Sequence, residues 1–224
     1  MKTLNDLYLY EVILLFLGIF LFLILSAGLI YYIIKKEEFK KLLYFFPVAI
    51  LMIAYPSIKE IQINNHRLEL ASNLERYVDN PNDSTAYKNV KEYSQKLESR
   101  ANTKEDYMLL SKSYLALENP EKAIRTADKA TKVIEDNTVK NKSDGTDEKE
   151  KTKPADRNQI DQVETQKEIE QIKTLAEIQN KQVKGTITEK QASEQLKTVK
   201  LNPELTKMSR AIQRKNLKLE QPKN

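Results

Sequence analysis

Residues 12 to 58 constrain this chain more than any other stretch. The run VILLFLGIFLFLILSAGLIYYII, residues 12–34, holds 23 residues without a charge. At ~1.5 Å per residue a helix of that length reaches about 34 Å, enough to cross a hydrocarbon core of roughly 30 Å. The segment KKEEFKK follows, and then LLYFFPVAILMIAYPSI, 17 uncharged residues over 42–58. This second run reaches about 25 Å, and spans if Phe39 and Ile61 extend it or the bilayer thins locally. The expectation is a two-pass transmembrane helical hairpin over residues 12–58, preceded by a short tail, residues 1–11. Everything after it is then held at one membrane face.

Neither run contains an acid, a base or an amide. Ion pathways and proton relays usually need intramembrane ionisable groups, so a transporter is not the expected class. Gly18, Ser26, Ala27 and Gly28 are small enough to let the two helices approach closely. Ser26-Ala27-Gly28 resembles a cleavage site only faintly, because the apolar run continues through Leu29 to Ile34, and an uncleaved anchor is the expected state. Pro47 falls in a first helical turn, whereas Pro56 is expected to kink or end its helix. Lys35, Lys36, Lys40 and Lys41 crowd the connecting loop. Because cations flanking a span are retained inside, the loop is expected to be cytoplasmic and both termini extracytoplasmic, at the cell membrane.

The net charge of +5 hides a division. Residues 1–58 carry 5 basic and 4 acidic side chains, 59–180 carry 21 and 24, and 181–224 carry 11 and 4. The positive charge belongs to the C-terminal end. Lys197, Lys200, Lys207, Arg210, Arg214, Lys215 and Lys218 form this basic tail. It has no aromatic stacking partners and no groove-reading motif, which argues against nucleic acid and leaves an anionic surface or plain solvent as the alternatives. All 11 Tyr and 6 Phe lie at or before Tyr114, so the last 110 residues must fold on aliphatic side chains.

Catalytic chemistry finds no footing. Cysteine is absent, the one histidine, His66, has no framing nucleophile motif, and the four glycines, Gly18, Gly28, Gly145 and Gly185, are scattered. No enzyme activity, cofactor or metal is expected.

The soluble part reads as helix throughout. Residues 60–79 carry Ile63, Leu70, Leu74 and Tyr77 on one stripe, and Asn80-Pro81 stops them. Tyr87, Val90, Tyr93 or Ser94, and Leu97 mark the next helix, with Asp83 or Ser84 as its cap. Thr103 caps a third helix, with Asp106 placed as a shortened capping box. Asn119-Pro120 stops it and starts a fourth, which carries Ala123, Ala127, Ala130 and Ile134.

The stretch TKEDYMLLSKSYLALENPEKAIRTADKATKVIED resembles one tetratricopeptide repeat, over residues 104–137. With Ala123 and Ala130 at the family's small positions, Leu110, Ser111 and Tyr114 take first-helix positions, beside Tyr107. The turn glycine is replaced around Glu118, Ala127 stands where an aromatic is usual, and no proline closes the unit near Glu135. The resemblance implies a scaffold that binds a protein or peptide partner in a groove of stacked helices. Since one repeat cannot bury its own apolar face, the helix pair before it is expected to stack on it.

Residues 137–158 are charged and almost free of apolar side chains, as in a disordered linker. Residues 159–224 are expected to form a basic helical tail. Ile169, Ile172, Ala176 and Val183 give a thin stripe compatible with a short coiled coil or an exposed helix. Thr188 and Gln191 form a capping box, and Asn202-Pro203 repeats the Asn119-Pro120 device. The fold class is therefore all-α: a membrane hairpin, then tetratricopeptide-like helical hairpins and a helical tail. The functional expectation is a membrane-anchored protein-interaction scaffold that contacts lipid and is able to form homo-oligomers. The alternatives are a small oligomerising hairpin that permeabilises the bilayer and a basic-tail binder of nucleic acid or anionic surfaces.

Overall fold

The computed structural model describes residues 9–35, 40–143 and 155–219, and among these the chain is helical with no strand. The tail up to Tyr8, Lys36 of the basic loop and residues 144–154 of the expected linker lie outside the described residues. The helices are α1 (Leu9–Lys35), α2 (Lys40–Leu43), α3 (Phe46–Asp79), α4 (Ser84–Glu98), α5 (Lys104–Ala116), α6 (Pro120–Ser143), α7 (Ala155–Val183), α8 (Glu189–Thr198) and α9 (Pro203–Leu219). They divide into two compact units, residues 1–65 and 66–224.

In the first unit, α1 and α3 are both long and apolar enough to cross a membrane. Their outward faces carry Phe16, Phe20, Leu23, Ile50 and Leu51, all exposed. Of the small residues, Gly18 sits where α1 meets α3, Gly28 lies against Leu42 of α2, and Ala27 is exposed. A Cβ on Gly18 would lie 2.9 Å from Ile53 Cγ1 and 3.2 Å from the Ile53 backbone nitrogen, so only hydrogen fits there. Ala49 is fully buried, and Phe22 meets Phe46 edge to face at 5.6 Å. Close backbone approach supplies the dispersion contacts that hold helices together in lipid, where the hydrophobic effect does not.

Of the two outcomes expected for Pro56, a kink or an end, the end does not occur. α3 runs through it to Asp79. A proline costs a helix one N–H bond, whereas unwinding would expose several backbone groups, and Ser57 Oγ donates to the Ile53 carbonyl at 3.2 Å beside it.

The second unit contains the rest of α3 and all of α4 to α9. Leu70, Leu74 and Tyr77 of α3 are buried, as are Ala86, Val90, Ser94 and Leu97 of α4. Of the two residues the α4 periodicity left open, Ser94 is the buried one and Tyr93 lies half-exposed against His66, 5.9 Å between ring centroids. Caps set the boundaries: Asp83 Oδ1 accepts from Thr85 and Ala86, Thr103 Oγ1 from Asp106, and Thr188 with Gln191 completes a reciprocal box. Asn119 and Asn202, each followed by proline, accept from the backbone N–H groups of Lys122 and Leu205.

Two sequence boundaries move. Helix α6 continues to Ser143 and α7 begins at Ala155, so both ends of the expected 137–158 linker are helical. Charged and amide side chains propagate a helix already nucleated by an apolar stripe. Residues 159–219 belong to the same compact unit as the helices before them. α7 is not an exposed helix: it packs along α6 and α5. Its buried face includes Leu175, Ile178 and Gln179 beside Ile169, Ile172 and Ala176, which makes it a wide apolar stripe, while Val183 is exposed.

Candidate functional site

The α5–α6 hairpin is built on small residues. Ala123, Ala127 and Ala130 of α6 are all buried, as are Leu110, Ser111 and Tyr114 of α5. Tyr107 is half-buried, donates its hydroxyl proton to the Ala101 carbonyl at 2.7 Å, and carries Lys129 over its ring at 5.5 Å. The buried hydroxyls are satisfied locally, Ser111 and Ser113 by the carbonyls four residues back. Glu118 takes the left-handed conformation, φ 57°, at the end of α5. Its N–H donates to the Leu115 carbonyl at 3.1 Å and that of Asn119 to the Tyr114 carbonyl at 2.8 Å, the paired bonds of a Schellman turn. This is the position from which the turn glycine is missing.

Three polar clusters tie the helices together. Arg67 of α3 grips Asp106 in the first turn of α5, with a bond from Nη2 to Oδ2 of 2.8 Å and a second from Nε to Oδ1. Asp106 is thus spent on Arg67 instead of on a capping box, though its backbone N–H still meets Thr103. Glu98 of α4 accepts from the Tyr114 hydroxyl, from Lys122 at 3.0 Å and from Arg125 at 2.8 Å. Burial works against the Glu98 carboxylate, but those three partners outweigh it and hold the group below the usual carboxylate range. Tyr114 is pushed well above the usual phenol range, first by burial and then by Glu98. The third cluster centres on Lys112 of α5, which reaches Glu168 of α7 at 2.9 Å and Glu204 of α9 at 2.8 Å. Burial opposes its charge, yet the two carboxylates raise its pKa above that of a free lysine.

Around Lys112 the helices leave an open groove of about 600 Å³. Leu74 and Val78 of α3, Met108 and Leu109 of α5, and Met208 of α9 form its apolar floor. Glu75 and Asp79 on α3, Glu105 on α5 and Lys207 on α9 stand at its rim. A second cleft of about 410 Å³ lies between α7, α8 and α9, lined by Leu175, Ile178, Ala192, Leu196 and Ile212.

The comparisons decide nothing further. No protein-family model, curated protein or solved structure matches this chain significantly.

Of the residues singled out from sequence, the α5–α6 set is brought together, whereas the basic tail is divided between α8, the turn after it and α9. Lys197 and Lys200 belong to α8 and the turn after it, while Lys207 and Arg210 lie exposed on α9. Arg214, Lys215 and Lys218 continue α9. Sequence reasoning missed the groove itself, because its wall residues come from positions 71 to 208 and share no local motif. Met108 and Leu109, adjacent to the predicted Leu110, were the available signal: apolar side chains in excess of what one packed helix face needs.

Proposed function

We propose that this chain is a membrane-anchored interaction scaffold: residues 12–58 fix it in the cell membrane, and the tetratricopeptide-like unit beyond captures a protein or peptide segment without catalysis. The observation that carries this reading is the apolar groove bounded by α3, α5 and α9. Apolar side chains left open to solvent between well-packed helices mark binding sites more often than they mark simple surface. Tyr107, Leu110, Tyr114, Ala123, Ala127 and Ala130 serve as scaffold, holding α5 at the floor of the groove. Lys35, Lys36, Lys40 and Lys41 support a cytoplasmic loop, with both termini and the scaffold on the outer side.

The test is a peptide-display selection against the full chain in lipid nanodiscs, with selected binders then measured against Leu109→Arg. Loss of binding on placing a charge in the floor supports the reading. Binders indifferent to Leu109→Arg contradict it.

A further inference from the structure

The charges around the groove say what kind of segment it takes. Lys112 is fully engaged, by Glu168 and Glu204 together. Its charge is therefore not offered to an incoming group. Glu75 and Asp79 stand exposed one helical turn apart on α3, and among the described residues no cation bonds either of them. Glu105 faces them from α5 with only Lys104 near it, at 3.8 Å. Three carboxylates thus line one wall, opposed on the rim by the single ammonium of Lys207 on the α9 side. The floor between them is apolar: Val78, Met108 and Leu109 are partly open to solvent, Leu74 and Met208 are buried, and Met108 is a flexible thioether that adapts to irregular surfaces.

A groove with an adaptable apolar floor and an acidic wall is complementary to an amphipathic helix whose polar face is cationic. We infer that the partner segment is such a helix, with an apolar stripe seated on Val78, Met108 and Leu109. Its Lys or Arg side chains flank that stripe and meet Glu75, Asp79 and Glu105. The inference rests on the interaction-scaffold reading and names the chemistry of its partner. An acidic or neutral helix of equal hydrophobicity would leave the same carboxylates desolvated against nothing, which is unfavourable.

The test uses the full chain in zwitterionic nanodiscs and two fluorescent synthetic helices, one of Leu and Lys and one with Glu in every Lys position, with empty nanodiscs subtracted. Anisotropy titrations are expected to show binding of the Leu/Lys helix that weakens with salt, and little binding of the Leu/Glu helix. The double variant Glu75→Gln, Asp79→Gln alters only exposed side chains, and should weaken the Leu/Lys helix by roughly three- to tenfold. Leu109→Arg should abolish the binding. Equal binding of both helices, lost in Leu109→Arg, overturns the cationic partner while leaving the groove as an interaction site. Leu/Lys binding that survives both variants, or binding of neither helix, overturns the inference and the groove reading with it.

Discussion

Arg67 and Asp106 lie 39 residues apart in sequence and form a two-pronged ion pair between α3 and the first turn of α5. The aspartate side chain is 1% exposed and the arginine 22%, so the pair is sheltered rather than solvated. Removing one partner strands the other charge in a partly desolvated site. Arg67→Met is therefore expected to cost about 3 kcal/mol, and adding Asp106→Asn to it should restore part of that loss. Denaturant unfolding of the four chains, followed by helical circular dichroism, measures both terms. A single variant with wild-type stability would show that α3 and α5 are not locked through this pair.

The two helix ends at Glu118 and Gly185 use the same turn with different residues. Both are left-handed, φ 57° and 69°, and both precede a residue whose N–H reaches back five positions, Asn119 to Tyr114 and Thr186 to Lys181. Only glycine adopts this conformation without a steric penalty. Glu118→Gly should stabilise the chain by about 1 kcal/mol, and Gly185→Ala should destabilise it by a similar amount. Opposite signs in a thermal unfolding comparison are the expected result.

Ala123 and Ala130 lie on one face of α6, against α5. Ala123→Leu adds three heavy atoms to a fully buried position and should cost ~1 to 3 kcal/mol. Glu121→Gln, at an exposed residue paired with Lys184, should cost about 0.5 kcal/mol or less. Equal and negligible shifts in melting temperature would mean that the alanine stripe does not set the helix spacing.

Acid should loosen the α4–α5–α6 junction through Glu98. Its folded pKa is lowered, so the stability it contributes is fully present above the unfolded value, about 4.3. That contribution falls away as the pH drops through the folded value. Tyr114→Phe removes one of the bonds that lower it, and should flatten the stability profile on the acid side of pH 5. Unfolding midpoints measured from neutral pH downward test this; parallel profiles for the two chains would assign the acid sensitivity to other carboxylates.

Five helix starts were legible because each is written locally, in Asp83, Thr103, Asn119-Pro120, Thr188 and Asn202-Pro203. Helix existence was legible too, from apolar spacing alone. What could not be read is where a residue with two uses spends itself: Asp106 suits a capping box, and only the fold brings Arg67 within reach. The breadth of the α7 face was underestimated because Leu175 and Ile178 fall outside a strict heptad. Pro56 does not stop α3, because it costs one N–H bond whereas ending the helix there would leave several backbone groups without partners. The groove had no local signature at all, since α9 closes it with residues such as Glu204, 92 positions beyond Lys112.

The central claim is that a membrane anchor presents this groove on the outer side of the cell membrane. Since the chain has no cysteine, Ala71→Cys places one thiol at the edge of the groove, on an exposed turn of α3. The measurement is its labelling by a membrane-impermeant maleimide in intact spheroplasts, with and without the Leu/Lys helix. The account predicts labelling before lysis, slowed when the helix is present. Labelling only after the membrane is broken would contradict the orientation, and labelling at the same rate with saturating helix would contradict the groove.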